Sequence, residues 1–232
     1  MRHSSLKLHC FSPPAMFATF AIELMLAIYV LVRYKMTLIT RLAASILVSL
    51  AVFQLAEYSV CGRASSIAVV WSRIGYVAIT MLPPLALHLV LAIAKHRARL
   101  LVAMAYATSV LFAATFGLSS TAFAGHVCAG NYAIFQLVHP LGGLYFTYYY
   151  AWLFVGIGLS LFLSVRATQR VREALILQAF GYLSFMLPTG VVNAIDPHSI
   201  VGIPSVMCGF AVIYAVILAV GIVPIYLQPK TK

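Results

Sequence analysis

Charged residues are scarce in this sequence, and acidic residues are the scarcest. Charged side chains make up 8% of the 232 residues, and four of them are Asp or Glu. Because a soluble domain carries about a quarter charged residues, this composition excludes a soluble globular protein. Hydrophobic residues instead make up 63% of the chain. The net charge of +11 reflects the shortage of acids, and it indicates basic loops beside an anionic membrane surface rather than a nucleic-acid partner.

Two further absences exclude most kinds of membrane pigment and enzyme. The lysines all fall outside the apolar segments, so none is available for a retinal Schiff base; they are Lys7, Lys35, Lys95, Lys230 and Lys232. The seven histidines are scattered, which does not suit a haem or a di-iron centre. The sequence contains no HExxH, GxSxG or phosphate-binding loop motif. We therefore predict a non-catalytic protein without a metal or a cofactor.

Long apolar segments account for most of the chain. A helix that crosses the hydrocarbon core needs about 20 apolar residues, and seven segments meet this length. Alternating β-barrel segments of about 10 residues are absent. We predict an all-α integral membrane protein, a single seven-transmembrane helix bundle over residues 1–232, with residues 119–141 as an outer loop. The predicted spans are approximately 14–33, 42–60, 67–94, 100–118, 142–165, 174–194 and 204–227.

Lysine and arginine residues sort to one side of the predicted bundle. The first, third and fifth connections between spans hold three each, whereas the fourth and sixth hold none. By the positive-inside rule, this asymmetry predicts an external N-terminus and a cytoplasmic C-terminus. Arg2 and Lys7 oppose this orientation, but they lie on a short tail. We expect a multi-pass protein of the bacterial inner (cytoplasmic) membrane, in contact with membrane lipids.

This orientation puts the four cysteines toward the external side, where oxidising conditions permit disulfides. Cys61 at the end of the second span and Cys128 in the outer loop are the favoured pair. If a second disulfide bond forms, we expect it between Cys10 and Cys208. The alternative is four unpaired thiols, with Cys208 filling a contact between helices.

Ionisable residues inside the second and third spans need partners, because a charge in hydrocarbon is costly. Glu57 lies roughly 6 Å inside one end of span two, and Arg73 lies roughly 9 Å inside span three, at 1.5 Å per residue. The loop between the spans is short, so the two residues reach similar depth and we predict a Glu57–Arg73 ion pair. The pair either fixes the register of the helices or contacts a ligand. Snorkelling of Arg73 toward lipid phosphates is the alternative.

Three prolines lie near the middle of spans. Pro83 and Pro84 in span three remove backbone donors, so we expect a kink there, and the carbonyl groups freed near Thr80 need partners. Pro188 lies at the corresponding depth of span six. These positions are either hinges or static kinks. His88 follows the proline pair by one turn, either as a hydrogen-bonded packing residue or as a ligand contact.

Several polar residues fall in the external half of the predicted bundle. Together with nearby aromatic residues, they are expected to line a pocket beneath the outer loop. An interfacial belt of aromatic residues explains the tyrosines and tryptophan equally well. The candidate residues for a ligand site or polar core are Glu23, Glu57, Arg73, Tyr76, His88 and Asn193.

Two stretches of the sequence carry a recognisable pattern. The first is WSRIGYVAITMLPPLALHLVLAIAKHR, residues 71–97. The second, residues 142–183, has a tyrosine-rich start, a long aliphatic helix and a basic turn, followed by Arg172 and Gln178. Together they resemble the N-terminal seven-transmembrane sensor region of bacterial histidine kinases, which implies a sensor-type fold with an external pocket for an unidentified ligand. In the first stretch the resemblance is carried by Trp71, Arg73, Gly75, Tyr76, Pro83, Pro84 and His88.

The resemblance leaves two interpretations of function. In histidine kinases the seventh helix leads into a cytoplasmic output domain, whereas this chain ends after QPKTK. We therefore expect an accessory or scaffold subunit of a larger membrane complex, with a membrane protein as partner and the small residues Gly156, Gly158 and Ser160 as its contact. The alternative is a stand-alone sensor that binds a small molecule or lipid in its external half and signals to a separate protein. A transporter or intramembrane enzyme has the weakest support, since no internal repeat is evident.

Overall fold

Helices form most of the described chain. The computed structural model describes residues 13–62, 65–119, 121–129 and 132–227. In chain order, the elements are α1 (Pro13–Arg33), α2 (Leu38–Gly62), α3 (Ser65–Thr80), α4 (Leu82–Ile93), α5 (Arg99–Leu118), β1 (Phe123–Ala129), β2 (Tyr132–Leu137), α6 (Leu141–Ser164), α7 (Gln169–Ile195), a 3₁₀ helix (Pro197–Gly202), α8 (Ile203–Val216), a π-helical segment (Ile217–Ile222) and α9 (Val223–Tyr226).

Seven helical segments within the described residues are long and apolar enough to cross a membrane. The third consists of α3 and α4, and the seventh consists of α8, the π-helical segment and α9. Helices suit a bilayer because their backbone groups bond within the segment. The predicted set of seven long apolar helices is confirmed, and their length and composition fit a multi-pass membrane protein.

The second and third spans form the centre of the bundle. α2 packs against α1, α3, α4 and α8. Of the 18 most apolar consecutive residues of the third span, 67% are buried, whereas the corresponding share of α5 is 17%. A residue on α2 is therefore enclosed by protein from several sides, while most of α5 faces outward.

An antiparallel β-hairpin covers one end of the bundle, where a loop was predicted. β1 and β2 pair along their whole length, with an irregularity in register between Phe123 and Gly125. The rings of Phe123 and Phe135 lie 5.2 and 5.3 Å from the ring of Tyr76 on α3. The hairpin is thus fixed to the bundle by aromatic packing.

The two ends of the bundle differ in charge. We call the end beneath β1 and β2 the hairpin end. The opposite end carries most of the lysine and arginine residues, in and beside the connections at 33–41, 94–99 and 165–172. We call it the basic end.

Candidate functional site

The proline pair interrupts the third span. α3 ends at Thr80, and α4 begins at Leu82 after a turn at Met81. Pro83 and Pro84 lie in the first turn of α4, where a missing N–H costs least. Because Pro84 cannot donate to the carbonyl four residues earlier, the carbonyl of Thr80 loses its usual helical partner.

Hydroxyl groups from two neighbouring helices bind the freed carbonyl. Tyr148 Oη on α6 donates to Thr80 O at 2.7 Å, and Ser109 Oγ on α5 donates to it at 3.0 Å. The Thr80 hydroxyl donates to the carbonyl of Tyr76 at 2.6 Å and lies 3.2 Å from Tyr145 Oη. We call Thr80, Ser109, Tyr145 and Tyr148 the proline-break cluster. Its hydroxyl groups and the freed carbonyl all have partners.

A second buried polar cluster lies between α1, α2 and α8. Glu23 on α1 is 0% exposed, and Gln54 and Glu57 on α2 are each 1% exposed. The Ser205 hydroxyl at the start of α8 donates to the carboxyl group of Glu57. The carboxyl groups of Glu23 and Glu57 are close enough to interact electrostatically. We call Glu23, Gln54, Glu57 and Ser205 the acid cluster.

Most polar atoms of the acid cluster have no hydrogen-bond partner among the described protein groups. They are Oε1 and Oε2 of Glu23, Oε1 of Glu57 and Nε2 of Gln54. Within the described part of the chain, no basic side chain is among the groups that act on the two carboxyl groups. An unpartnered charge at the centre of a bilayer costs roughly 3 kcal/mol or more. The two carboxyl groups therefore require neutralisation by something other than a Lys, Arg or His of this region.

A small cavity borders the acid cluster. Its lining includes Thr19 on α1, Gln54 and Glu57 on α2, and Ser205 and Gly209 on α8. Its volume is about 10 Å³, which is about the space that one water molecule or one small ion needs. An organic ligand does not fit this cavity unless the helices move apart.

The predicted ion pair between Glu57 and Arg73 is not among the contacts of the described residues. Glu57 lines the cavity between α1, α2 and α8, whereas Arg73 borders an open groove with Val70, Ile74 and Gly117. Nε of Arg73 has no hydrogen-bond partner in the described part of the chain. The two residues lie on adjacent helices. The ion pair was predicted from their similar depth alone, which does not determine the direction of each side chain around its helix axis.

Two further residues of the predicted external pocket, Tyr76 and Asn193, contact other protein groups. Tyr76 is fully buried in a cluster of aromatic rings, with ring centroids 4.9 Å from Phe116 and 5.5 Å from Tyr145. Asn193 lies on α7 near the hairpin end, where its Oδ1 accepts a hydrogen bond from the Ser199 hydroxyl at 2.6 Å. Neither residue is part of the acid cluster.

His88 lies toward the basic end. Its Nδ1 is 3.3 Å from Tyr106 Oη on α5. It also lines an open groove together with Lys95, Arg97 and Arg99. Pro188 lies inside α7, which continues as one helix through it. Of the six candidate residues for a ligand site, the structure brings Glu23 and Glu57 together in the acid cluster, and Tyr76 approaches Glu57 from α3.

The cysteines follow the predicted scheme only in part. Cys61 is disulfide-bonded. Cys208 is a buried free thiol, so the second bond between Cys10 and Cys208 is wrong. Cys10 and the side chain of Cys128 lie outside the described part of the structure, and the pairing of Cys61 with Cys128 stays a prediction.

Ser109 and Ser205 belong to the two clusters and were not predicted from the sequence. A single serine in an apolar helix carries no pattern of its own, because its hydroxyl commonly bonds to its own helix. Ser72 does so, donating to the carbonyl of Ala68 at 2.9 Å. Ser109 and Ser205 differ from such serines only because their hydroxyl groups point toward another helix.

No protein-family model matches this chain, and no curated protein matches it. The resemblance to the sensor region of bacterial histidine kinases therefore stays a prediction.

Proposed function

We propose that this protein is a membrane sensor module of the type found at the N-terminus of bacterial histidine kinases. Its acid cluster is the input site, and its basic end is the output face that signals to a separate protein. The module itself is non-catalytic. It lies in the bacterial inner membrane with the N-terminus external and the C-terminus cytoplasmic, an orientation that the basic connections support.

The unpartnered polar atoms of the acid cluster are the observation that carries this proposal. Glu23, Gln54 and Glu57 are buried in a bundle whose other polar groups are largely satisfied. Ionisable residues inside a membrane bundle are expensive, and they usually mark an ion, proton or ligand site. A cluster that only fixed the packing of helices would be expected to satisfy its own atoms.

The seventh span provides a physical route from the input site to the basic end. Ser205 stands in the first turn of α8, which continues through the π-helical segment Ile217–Ile222 into α9. Segments of π-helix are frequent at functional sites. A shift of α8 at Ser205 is therefore transmitted to the basic end along one continuous span.

Hydrogen–deuterium exchange in a reconstituted bilayer tests this proposal. Glu57→Gln should change exchange at the basic end, in residues 94–98 and 223–227, while the bundle stays folded. Tyr58→Phe is the matched control, because Tyr58 lies beside Glu57 on α2 but is 40% exposed. Altered exchange confined to α1, α2 and α8 would assign the cluster a structural role and contradict the proposal.

The second candidate function is an accessory subunit of a larger membrane complex. The small residues predicted as a partner contact on α6 do not favour the accessory subunit, because Gly156 and Ser160 are buried within this chain. An added Cβ at Gly156 would lie 2.6 Å from Tyr182 Oη. The outward face of α5 does favour it. Ala103, Ala107 and Ala114 are exposed there. Small residues at such spacing let two helices approach closely.

Purification in mild detergent followed by mass spectrometry decides between the two candidates. A stoichiometric membrane protein that is lost with Ala107→Leu supports the subunit. Gly158→Leu is the control, because Gly158 is exposed on α6 with nothing near its Cβ position. A protein that emerges without such a partner, or whose partner is unaffected by Ala107→Leu, contradicts a subunit docked on α5.

A further inference from the structure

Half of the acidic side chains of this protein lie in one buried site. The sequence has four Asp and Glu residues, and Glu23 and Glu57 are both enclosed in the acid cluster. Glu173 is exposed at the basic end, where Gln169 Nε2 donates to it at 3.1 Å. Solvent stabilises an exposed carboxylate such as Glu173, but it does not reach Glu23 or Glu57.

The groups that face the two carboxyl groups carry no positive charge. α1 contributes Glu23 and α2 contributes Glu57, while α8 contributes Ser205 and the buried thiol of Cys208. Tyr76 approaches Glu57 from α3. Among the described residues, none of these neighbours can supply a compensating cation.

Two neighbouring carboxylates in an apolar surrounding do not both stay ionised. Burial penalises each charge, and the mutual repulsion of like charges adds to that penalty. The site reaches a stable state only when it takes up positive charge. A proton on a carboxyl oxygen does so, and so does a bound metal cation of low charge.

The second observation is that a further buried polar group has no protein partner at the same cavity. Gln54 is 1% exposed, its Nε2 is unpartnered, and it lines the cavity with Glu57 and Ser205. The cavity volume of about 10 Å³ corresponds to about one water-sized sphere, so the cavity holds nothing larger than one water molecule or one ion of similar size. Carboxylate, amide and hydroxyl oxygens are the ligands that hard cations prefer. Amide nitrogen and oxygen exchange places by a flip of the Gln54 side chain.

We propose that Gln54, Glu57 and Ser205, together with Glu23 close enough to Glu57 to share its charge, form a binding site for one small monovalent cation, which is a proton or Na⁺. Protonation transfers H⁺ from water to a carboxylate oxygen of the Glu23–Glu57 pair. Binding of Na⁺ to the singly protonated pair releases that H⁺ to water and leaves both carboxylates ionised with Na⁺ as their shared counter-ion, so the net charge of the site is unchanged. Lipid-sized and other organic ligands are excluded by the size of the cavity.

This inference rests on the proposed function in one respect, because it names the input that the sensor would detect. Cation binding itself is a property of the site alone. It can therefore be measured separately from any response at the basic end.

Infrared difference spectroscopy tests the inference on the full chain. The protein is reconstituted in an ether-linked phospholipid, which has no ester carbonyl to obscure the band of a protonated carboxyl group. Spectra are recorded from about pH 5 to about pH 10 in K⁺, and again at fixed pH with K⁺ replaced by Na⁺. The variants are Glu23→Gln, Glu57→Gln and, as the exposed control, Glu173→Gln. Circular dichroism verifies that each variant is folded.

The expected result is a protonated-carboxyl band that is lost in Glu23→Gln or Glu57→Gln and kept in Glu173→Gln. Loss of the band with rising pH alone identifies a proton site. Loss on adding Na⁺ at constant pH identifies a site that also accepts Na⁺. A band that is absent throughout, or that responds to neither pH nor Na⁺, overturns the inference.

The same samples separate this inference from the proposed function. If the band titrates but hydrogen exchange at the basic end does not respond, the cation site stands and the sensor proposal fails. If exchange at the basic end responds to Glu57→Gln and the band is absent, the sensor proposal stands and its input is another ligand.

Discussion

Two buried polar clusters lie in the same bundle, and they differ in how fully they are satisfied. In the proline-break cluster, two hydroxyl groups bind the carbonyl that the prolines leave free. In the acid cluster, three of four carboxyl oxygens and one amide nitrogen have no partner among the described groups. All residues of both clusters are buried, so the exclusion of solvent does not account for the difference.

The proline-break cluster supports the fold, whereas most polar atoms of the acid cluster make no hydrogen bond to a described group. A broken helix in a membrane persists only if its freed backbone groups are bonded again, which Ser109 and Tyr148 do for Thr80. The acid cluster does not compensate for a comparable break, because α1 and α2 are continuous helices through Glu23, Gln54 and Glu57. Its polar atoms therefore impose a cost on the fold that is consistent with a functional role.

The largest effect is expected from breaking the satisfied cluster. Ser109→Ala combined with Tyr148→Phe removes both donors to the carbonyl of Thr80, and the unfolding free energy should fall by about 1–3 kcal/mol. Reversible unfolding in mixed micelles measures it. Tyr150→Phe is the control, because the Tyr150 hydroxyl takes no part in this cluster. An unchanged stability of the double variant would show that another group replaces the two hydroxyls.

A smaller effect, in the opposite direction, is expected from neutralising the unsatisfied cluster. Glu23→Gln combined with Glu57→Gln keeps the shape of both side chains and removes the need to take up positive charge. The unfolding free energy should stay within about 1 kcal/mol of its original value or rise, as is common when buried charges are replaced. The same unfolding assay measures it, with Glu173→Gln beside it. A loss comparable to that of the hydroxyl variant would mean that the carboxyl groups are structurally paired.

The smallest effect is expected from Gln54→Met, which nearly conserves volume and removes an unpartnered amide. Its stability should change by less than about 1 kcal/mol, since replacing a buried polar group by an apolar one of the same shape is nearly neutral when no partner is left unsatisfied. The infrared response of the carboxyl band to Na⁺ should weaken, because the amide oxygen is lost as a ligand. Equal Na⁺ dependence in wild type and Gln54→Met would remove Gln54 from the site.

The seven spans could be predicted from hydropathy because a bilayer fixes the length of each helix. The interruption beside Pro83 and Pro84 could also be predicted, since proline removes a backbone donor whatever surrounds it. Helix ends were less predictable, and α2 and α7 begin at Leu38 and Gln169, a few residues before the predicted spans. Charged residues such as Arg41 end an apolar segment without ending the helix.

The partners of polar residues could not be predicted, because lipid and protein core are both apolar. The sequence therefore does not show which side of α2 or α3 faces protein and which faces lipid. For that reason the directions of Glu57 and Arg73 could not be predicted, and the ion pair predicted between them is not observed. The hairpin at β1 and β2 was missed because its residues were classed as a loop between two spans. Its strands are short and depend on packing against Tyr76 for support.

The most direct test of the account is hydrogen exchange at residues 94–98 and 223–227 of the wild-type protein while the cation occupancy of the acid cluster is titrated. Protection from exchange at these basic-end residues, corrected for the intrinsic pH dependence of amide exchange, should change with pH or Na⁺ at the same midpoint as the infrared carboxyl band. The account also predicts that the change is absent when Glu23 and Glu57 are both replaced by Gln. If the carboxyl band titrates while protection from exchange at the basic end stays constant, the claim that the acid cluster is an input site is contradicted.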